Sequence, residues 1–133
     1  MQIEQAVKTH LTNAAAVAAL VSTRVYYVLA RGQHITAPYV VITKVSAIRQ
    51  QTHDGPAHLA ESTFQITSYA TTFTEAKQVA GVIQTALEAY AGNLGSAPYV
   101  VVGATTYDDE VDYLDEETGL FSVQQEFTFT HYE

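Results

Sequence analysis

The alternation of apolar and polar residues changes period several times along the chain, and each change marks an element. Over residues 2–21, Ile3, Val7, Leu11, Ala14, Ala18 and Val21 recur at three- and four-residue steps, which predicts an amphipathic helix. Thr12-Asn13 can cap a second short helix, so a break is expected there. A long connection covers residues 22–38. Behind Pro38, the β-branched run Tyr39-Val40-Val41-Ile42-Thr43-Lys44-Val45-Ser46 predicts a strand. Residues 50–59, with Asp54-Gly55-Pro56 at their centre, predict a connection into a second strand, Thr63-Phe64-Gln65-Ile66-Thr67-Ser68-Tyr69. Phe64 and Ile66 share one face of that strand, while Thr63, Gln65, Thr67 and Tyr69 share the other. The two strands are expected to form a hairpin with a protruding tip.

After Thr71 the period becomes helical again. Ala76, Val79, Ala80, Ile83, Ala86, Leu87 and Tyr90 make one stripe, and Thr72 and Glu75 have the spacing of a capping box. Gly92 offers a C-terminal stop. A turn over residues 93–98 leads to a third strand over residues 99–107, with Gly103 marking a bulge. An acidic connection over residues 108–117 follows and is closed by Thr118-Gly119. In the last strand, residues 120–132, Phe121, Val123, Phe127 and Phe129 face one way, and Gln125 interrupts their row. The sum predicts an α+β fold of order α-β-β-α-β-β. Its sheet would be four-stranded and mainly antiparallel, built from two hairpins, with helices packed on one face. Residues 54–92, a loop, strand and helix, would seed the core. No repeat or linker divides the chain, so residues 1–133 are expected to be a single domain.

Composition narrows the classes of function. The absence of cysteine excludes a disulfide framework and any thiolate metal site. No apolar run approaches the roughly 20 residues that span a bilayer. The first twenty residues lack the layout of a signal peptide, so a soluble chain, intracellular when made and without a membrane partner, is expected. The net charge of −8 is unevenly distributed. All six basic residues (Lys8, Arg24, Arg31, Lys44, Arg49, Lys77) lie at or before position 77 and face four acids there, giving +2, whereas the remainder carries −10. Such a chain has no basic groove for gripping nucleic acid, and it predicts one face or rim of strong negative potential.

The acidic segment holds Asp108, Asp109, Glu110, Asp112, Asp115, Glu116 and Glu117. Several carboxylates suit a hard cation, but the glycine and spacing of an EF-hand loop are missing. A solvated hairpin tip or an interface rim is the plainer reading, and no metal ligand is assigned. His53-Asp54 with His58 nearby resembles a fragment of a catalytic constellation. It comes without a cysteine nucleophile, a Gly-x-Ser-x-Gly elbow or a His-Glu-x-x-His pair, so these residues read as contacts at a loop tip. There is no glycine-rich phosphate loop, and no cofactor is expected. Tyr26, Tyr27, Tyr39, Tyr99 and Tyr113 lie near element ends, where tyrosine suits protein interfaces. The residues favour a binding or assembly module over an enzyme.

One family combines these features. The N-terminal helix with its alanine-rich end, Arg24-Val25-Tyr26, and Ala37-Pro38-Tyr39-Val40-Val41 come first. His53-Asp54-Gly55-Pro56, Phe64-Gln65-Ile66-Thr67-Ser68-Tyr69-Ala70 and Thr74-Glu75-Ala76 follow in order. The ending Tyr113-Leu114-Asp115-Glu116-Glu117-Thr118-Gly119-Leu120-Phe121 completes the set. In order and spacing the chain resembles the tail completion (tail terminator, or tail-to-head joining) proteins of long-tailed bacteriophages. One departure is at Tyr27, where the family often has Pro-Gly after the equivalent of Tyr26.

The resemblance implies a structural protein, not an enzyme. It would form a ring, commonly a hexamer, on the finished tail tube, stop tube polymerisation and provide the docking surface for the head. Its partners would be further copies of itself, the tail tube protein and the connector or stopper protein of the head, with DNA passing through unheld. Its place would be the neck of the virion, reached from the host cytoplasm during assembly. Arg24, Tyr26, Arg31, His53, Asp54, Gly55 and Pro56 become interface candidates. The seven acids between positions 108 and 117 become candidates for the lumen or rim, because a negative lining repels phosphate. Two other readings stand beside this one: another neck component (a stopper or head-completion protein), and a small metal-dependent hydrolytic enzyme using His53, Asp54 and the acidic hairpin.

Overall fold

The computed structural model describes residues 2–28, 37–52, 55–95, 99–116 and 119–132, without the side chains of residues 50–52, 55–58 and 115. It contains α1 (Ile3–Asn13), α2 (Ala15–Val21), β1 (Val25–Tyr27), β2 (Tyr39–Thr52), β3 (Gly55–Ala70), α3 (Phe73–Leu87), β4 (Gly92–Leu94), β5 (Val100–Asp115) and β6 (Leu120–Tyr132). The strands form one sheet in the order β1-β2-β3-β6-β5-β4. Only β1–β2 is parallel; the other neighbours are antiparallel. The sheet curls into a half-barrel.

This corrects the expected four-stranded sheet and its order α-β-β-α-β-β. Two strands, β1 and β4, have three residues each, too few to show a period. The stretches expected to be connections are strand as well. β2 runs on to Thr52, β3 starts at Gly55, and the acidic stretch 108–115 is the second half of β5. Backbone pairing in a long hairpin tolerates polar side chains on both faces, so composition alone reads these extensions as loop. Gly92 does not stop α3. The helix ends at Leu87, Ala89 takes the left-handed conformation (φ 58°), and Gly92 begins β4. The expected helix break does occur, at Ala14, where extended backbone separates α1 from α2 without a side-chain cap.

Other local signals act as written. The Thr72 hydroxyl accepts the Glu75 backbone N–H at 3.2 Å and caps α3. Val28, just after β1, holds φ 62°, a conformation glycine takes freely and a β-branched residue resists.

One face of the sheet is buried under the helices. Val40, Ile42, Phe64, Ile66, Phe127 and Phe129 point into it and meet Val7, Leu11, Val79, Ile83 and Leu87. Phe64 lies opposite Phe127 and meets Phe129 edge-on at 5.7 Å. Each such ring contributes about 1.5–3 kcal/mol by leaving water. His10 ties α1 to α3, with Nε2 3.0 Å from the Ala86 carbonyl oxygen and its ring 4.5 Å from that of Tyr90. Gln125, the break in the apolar row of β6, is fully buried and donates from Nε2 to the Ala80 carbonyl at 2.9 Å, joining sheet to helix. The other face is polar and half-buried. Thr63 and Thr128 hydroxyls pair at 3.0 Å, and Gln65 Nε2 donates to Gln124 Oε1 at 2.6 Å.

Candidate functional site

The two long hairpins end at opposite ends of the sheet. β3 meets β6 from Leu59↔Tyr132 to Ala70↔Phe121. Residues 55–58 therefore extend beyond β6 and pair only with β2, through Gln51↔Pro56 and Thr52↔Gly55. At about 3.4 Å per residue this arm projects by roughly 13 Å. The β5–β6 turn lies at the other end, past Asp115↔Leu120. Gly55 and Pro56 open β3 in the arm; His53 and Asp54, which connect its strands, lie outside the described residues, as do Arg31 and Glu117.

Arg24 is held by the fold. Its Nε donates to the Pro38 carbonyl at 2.9 Å and its Nη2 to the Leu20 carbonyl at 3.3 Å, clipping the end of α2 to the start of β2. Tyr26 stands on the polar face, edge-on to Tyr39 at 6.1 Å, and Tyr39 stacks on Tyr69 at 4.8 Å. The three rings make a half-buried aromatic platform at the end of the sheet away from the arm. Tyr26 and Tyr39 stand out in the sequence as tyrosines near element ends, whereas Tyr69 is a polar-face position within a strand. Residues 39 and 69 lie directly opposite each other only in the paired ladder, whose register the sequence pattern does not set.

A bulge splits the acids between the two faces. The register of β5 shifts between Tyr107 and Asp109. Asp108 accepts from the Thr106 hydroxyl at 3.0 Å and from the Thr128 hydroxyl, both on the polar face. Asp109, opposite Glu126, shares that face, whereas Glu110 and Asp112, opposite Gln125 and Val123, face the helices. There Lys77 of α3 reaches them, with Nζ 2.8 Å from Asp112 Oδ1 and 3.5 Å from Glu110 Oε2. The bond to Asp112 raises the Lys77 ammonium above its ordinary value of 10.5, against the effect of burial. Asp115 ends β5, and Glu116 follows it, exposed, in the turn. Lys77 is the last Lys or Arg of the chain, and the 33 positions between it and Glu110 hide this pairing from any local sequence pattern. Leu114 and Phe73, each about half exposed, lie beside this cluster, and Phe73 meets Phe121 edge-on at 6.1 Å.

At the arm end, on the helix side, Glu4, Lys44, Arg49, His131 and Tyr132 line a cleft of about 400 Å³. Lys44 Nζ sits 2.5 Å from Glu4 Oε1. Burial pushes the Glu4 carboxyl up, but the Lys44 ammonium and the start of α1 outweigh it and leave the group below its ordinary 4.5. On the cleft floor, His131 Nε2 lies 2.8 Å from the buried Ser62 hydroxyl. Among the described residues, no three His, Asp or Glu side chains converge as metal ligands, and no helix is long and apolar enough to cross a membrane. The arrangement is one of surfaces: an arm, an aromatic platform and a strand edge carrying acids.

Comparison with known proteins agrees with that character. The profile of a family described as tail completion protein gp17 matches residues 5–132. No curated protein sequence matches the chain. Among solved structures, a chain from the virion of a native gene transfer agent particle superposes with a TM-score of 0.76 at 21% identity, covering 96% of this chain and 92% of that one. The likeness extends to the fold.

Proposed function

The chain belongs to the tail completion protein gp17 family, a structural component of the phage tail, and from that premise we propose that it closes the finished tail tube as a ring and joins it to the head. The observation that supports this best is the placement of the two hairpin ends, which gives one rigid sheet a contact surface at each end. A tube-capping subunit needs two such surfaces, one for the tail tube protein and one for the connector or stopper of the head. The residues at the arm, His53, Asp54, Gly55 and Pro56, form one contact. Arg31 and the Tyr26 platform, braced by Arg24, belong to the other.

We further infer that residues 1–133 work as one tail-completion domain without catalysis, at the neck of the virion, after assembly in the host cytoplasm. Six copies are expected in the ring. The test is negative-stain imaging and native mass of purified tails with and without the protein. Rings of uniform size at one end of each tube support the reading, while binding only to capsids would favour a stopper or head-completion role.

Asp108 on the polar face and the acids at the β5–β6 hairpin end, Asp115, Glu116 and Glu117, are assigned to the lumen or its rim, where negative charge keeps passing DNA unbound. Virions carrying Asp108→Lys and Glu116→Lys should eject DNA more slowly, with the delay shrinking as salt rises. Ejection at the wild-type rate from fully assembled virions would remove the acids from the lumen.

A further inference from the structure

Head-to-tail closure of a ring requires two different surfaces on each copy that fit each other. The sheet carries such a pair on its two margins. The β1–β2 margin holds Lys8, Arg24, Lys44 and Arg49 against Glu4, the one acid among residues 1–52. Lys44 and Arg49 stand at the strand edge on the helix side, opposite Phe64 and Ala60. The β5 margin exposes Asp109, Glu110 and Asp112, and Lys77 is the one cation near them among the described residues. In the linear chain this is an uneven charge; in the folded sheet it is a positive margin and a negative margin on opposite sides of the strand order.

The backbone agrees with the charges. β1 pairs only with residues 40–42 of β2, and β4 only with residues 100–102 of β5. Among the described residues, no strand flanks the outer side of residues 43–52 or 103–115. Because β2–β3, β3–β6 and β6–β5 are all antiparallel, β2 and β5 run in opposite directions. Rotation about a ring axis along the strands preserves that relation, so β2 of one copy would meet β5 of the next antiparallel. The ladder also sets Lys44 opposite Phe64 and Asp109–Glu110 level with Gln65–Ile66, one or two residues apart in height. Bulges at Val45 and Asp108 interrupt both edges. They prevent indiscriminate strand addition and leave charged side chains to carry the contact.

We propose that the basic β2 margin of one copy seats against the acidic β5 margin of the next, so that the occupant of each open edge is a second copy of this chain. The proposal rests on the ring reading above and specifies its subunit contact. Complementary charge then sets both the direction of the ring and the rate at which it closes.

Two full-length variants test it: Asp109→Lys with Glu110→Lys, and Lys44→Glu with Arg49→Glu. Ring formation on tail tubes, read by native mass and imaging, should fall more than about tenfold for either variant alone, since like charges then face each other. An equimolar mixture should restore rings in which the two variants alternate, and a chain carrying all four substitutions should close with itself. Circular dichroism melting checks folding. If a reversal unfolds the chain, Asp109→Asn with Glu110→Gln replaces it, and its rings should lose the salt sensitivity of wild type. Rings from either reversed variant alone, or failure of the mixture to restore them, would overturn the edge contact. Wild-type protein that caps tubes without forming a ring would instead overturn the ring reading.

Discussion

Phe64→Ala is expected to lower the free energy of unfolding by about 3–5 kcal/mol, the range for removing a fully buried aromatic ring. Phe64 has no exposed surface, stands in a central strand between β2 and β6, and contacts Phe129 edge-on at 5.7 Å. The helices above it are themselves packed by Val79, Ile83 and Leu87, so they cannot close the space without giving up other contacts. A domain of this size has about 5–15 kcal/mol in total, so the change removes a large share. The melting temperature should fall by roughly 10–20 °C. Urea denaturation measures the effect directly, and a loss below about 1 kcal/mol would contradict the packing of this core.

The second large effect is on assembly. Replacing residues 50–59 by Asn-Gly joins Arg49 to Ala60, which already face each other in the ladder, through a two-residue turn suited to the strand twist. The removed residues lie beyond the β6 strand except for Leu59, which meets Tyr132. Stability is therefore expected to change by no more than about 1 kcal/mol. Attachment of tails to their partner at that end should fall roughly a hundredfold, the equivalent of about 3 kcal/mol of lost contact. Particle titre together with a melting curve reads both quantities. A stable protein with undiminished joining would take the arm out of the interface.

These two predictions draw on different levels of information. Phe64 and Ile66 were legible as core residues because a two-residue period shows which side of a strand is apolar. Thr72 was legible as a cap because the bond it makes spans three residues. The arm was legible only as a tip, since its flanks, rich in Gln, Thr and His, carry no period that separates strand from loop. The acids were legible as a cluster but not as two sets, because one extra residue at the bulge reverses which face every later side chain takes.

Local order thus determined much by itself: the helical stripes, the cap of α3, the two hairpins, the lack of thiol chemistry and the excess of acid after Lys77. Each of these depends on residues within a turn or two of one another, or on composition alone. The tertiary structure decided the rest. Three-residue strands such as β1 and β4 exist only because a longer neighbour supplies their backbone partners. Lys77 meets Glu110 and Asp112 only because α3 packs over β3 and β6, the strands beside β5. The acidic stretch that opened as a loop is a strand edge, and it lies across the sheet from the basic one because four antiparallel strands, β2-β3-β6-β5, stand side by side. That opposition depends on hydrogen bonds between residues far apart in the chain, and no local pattern encodes it.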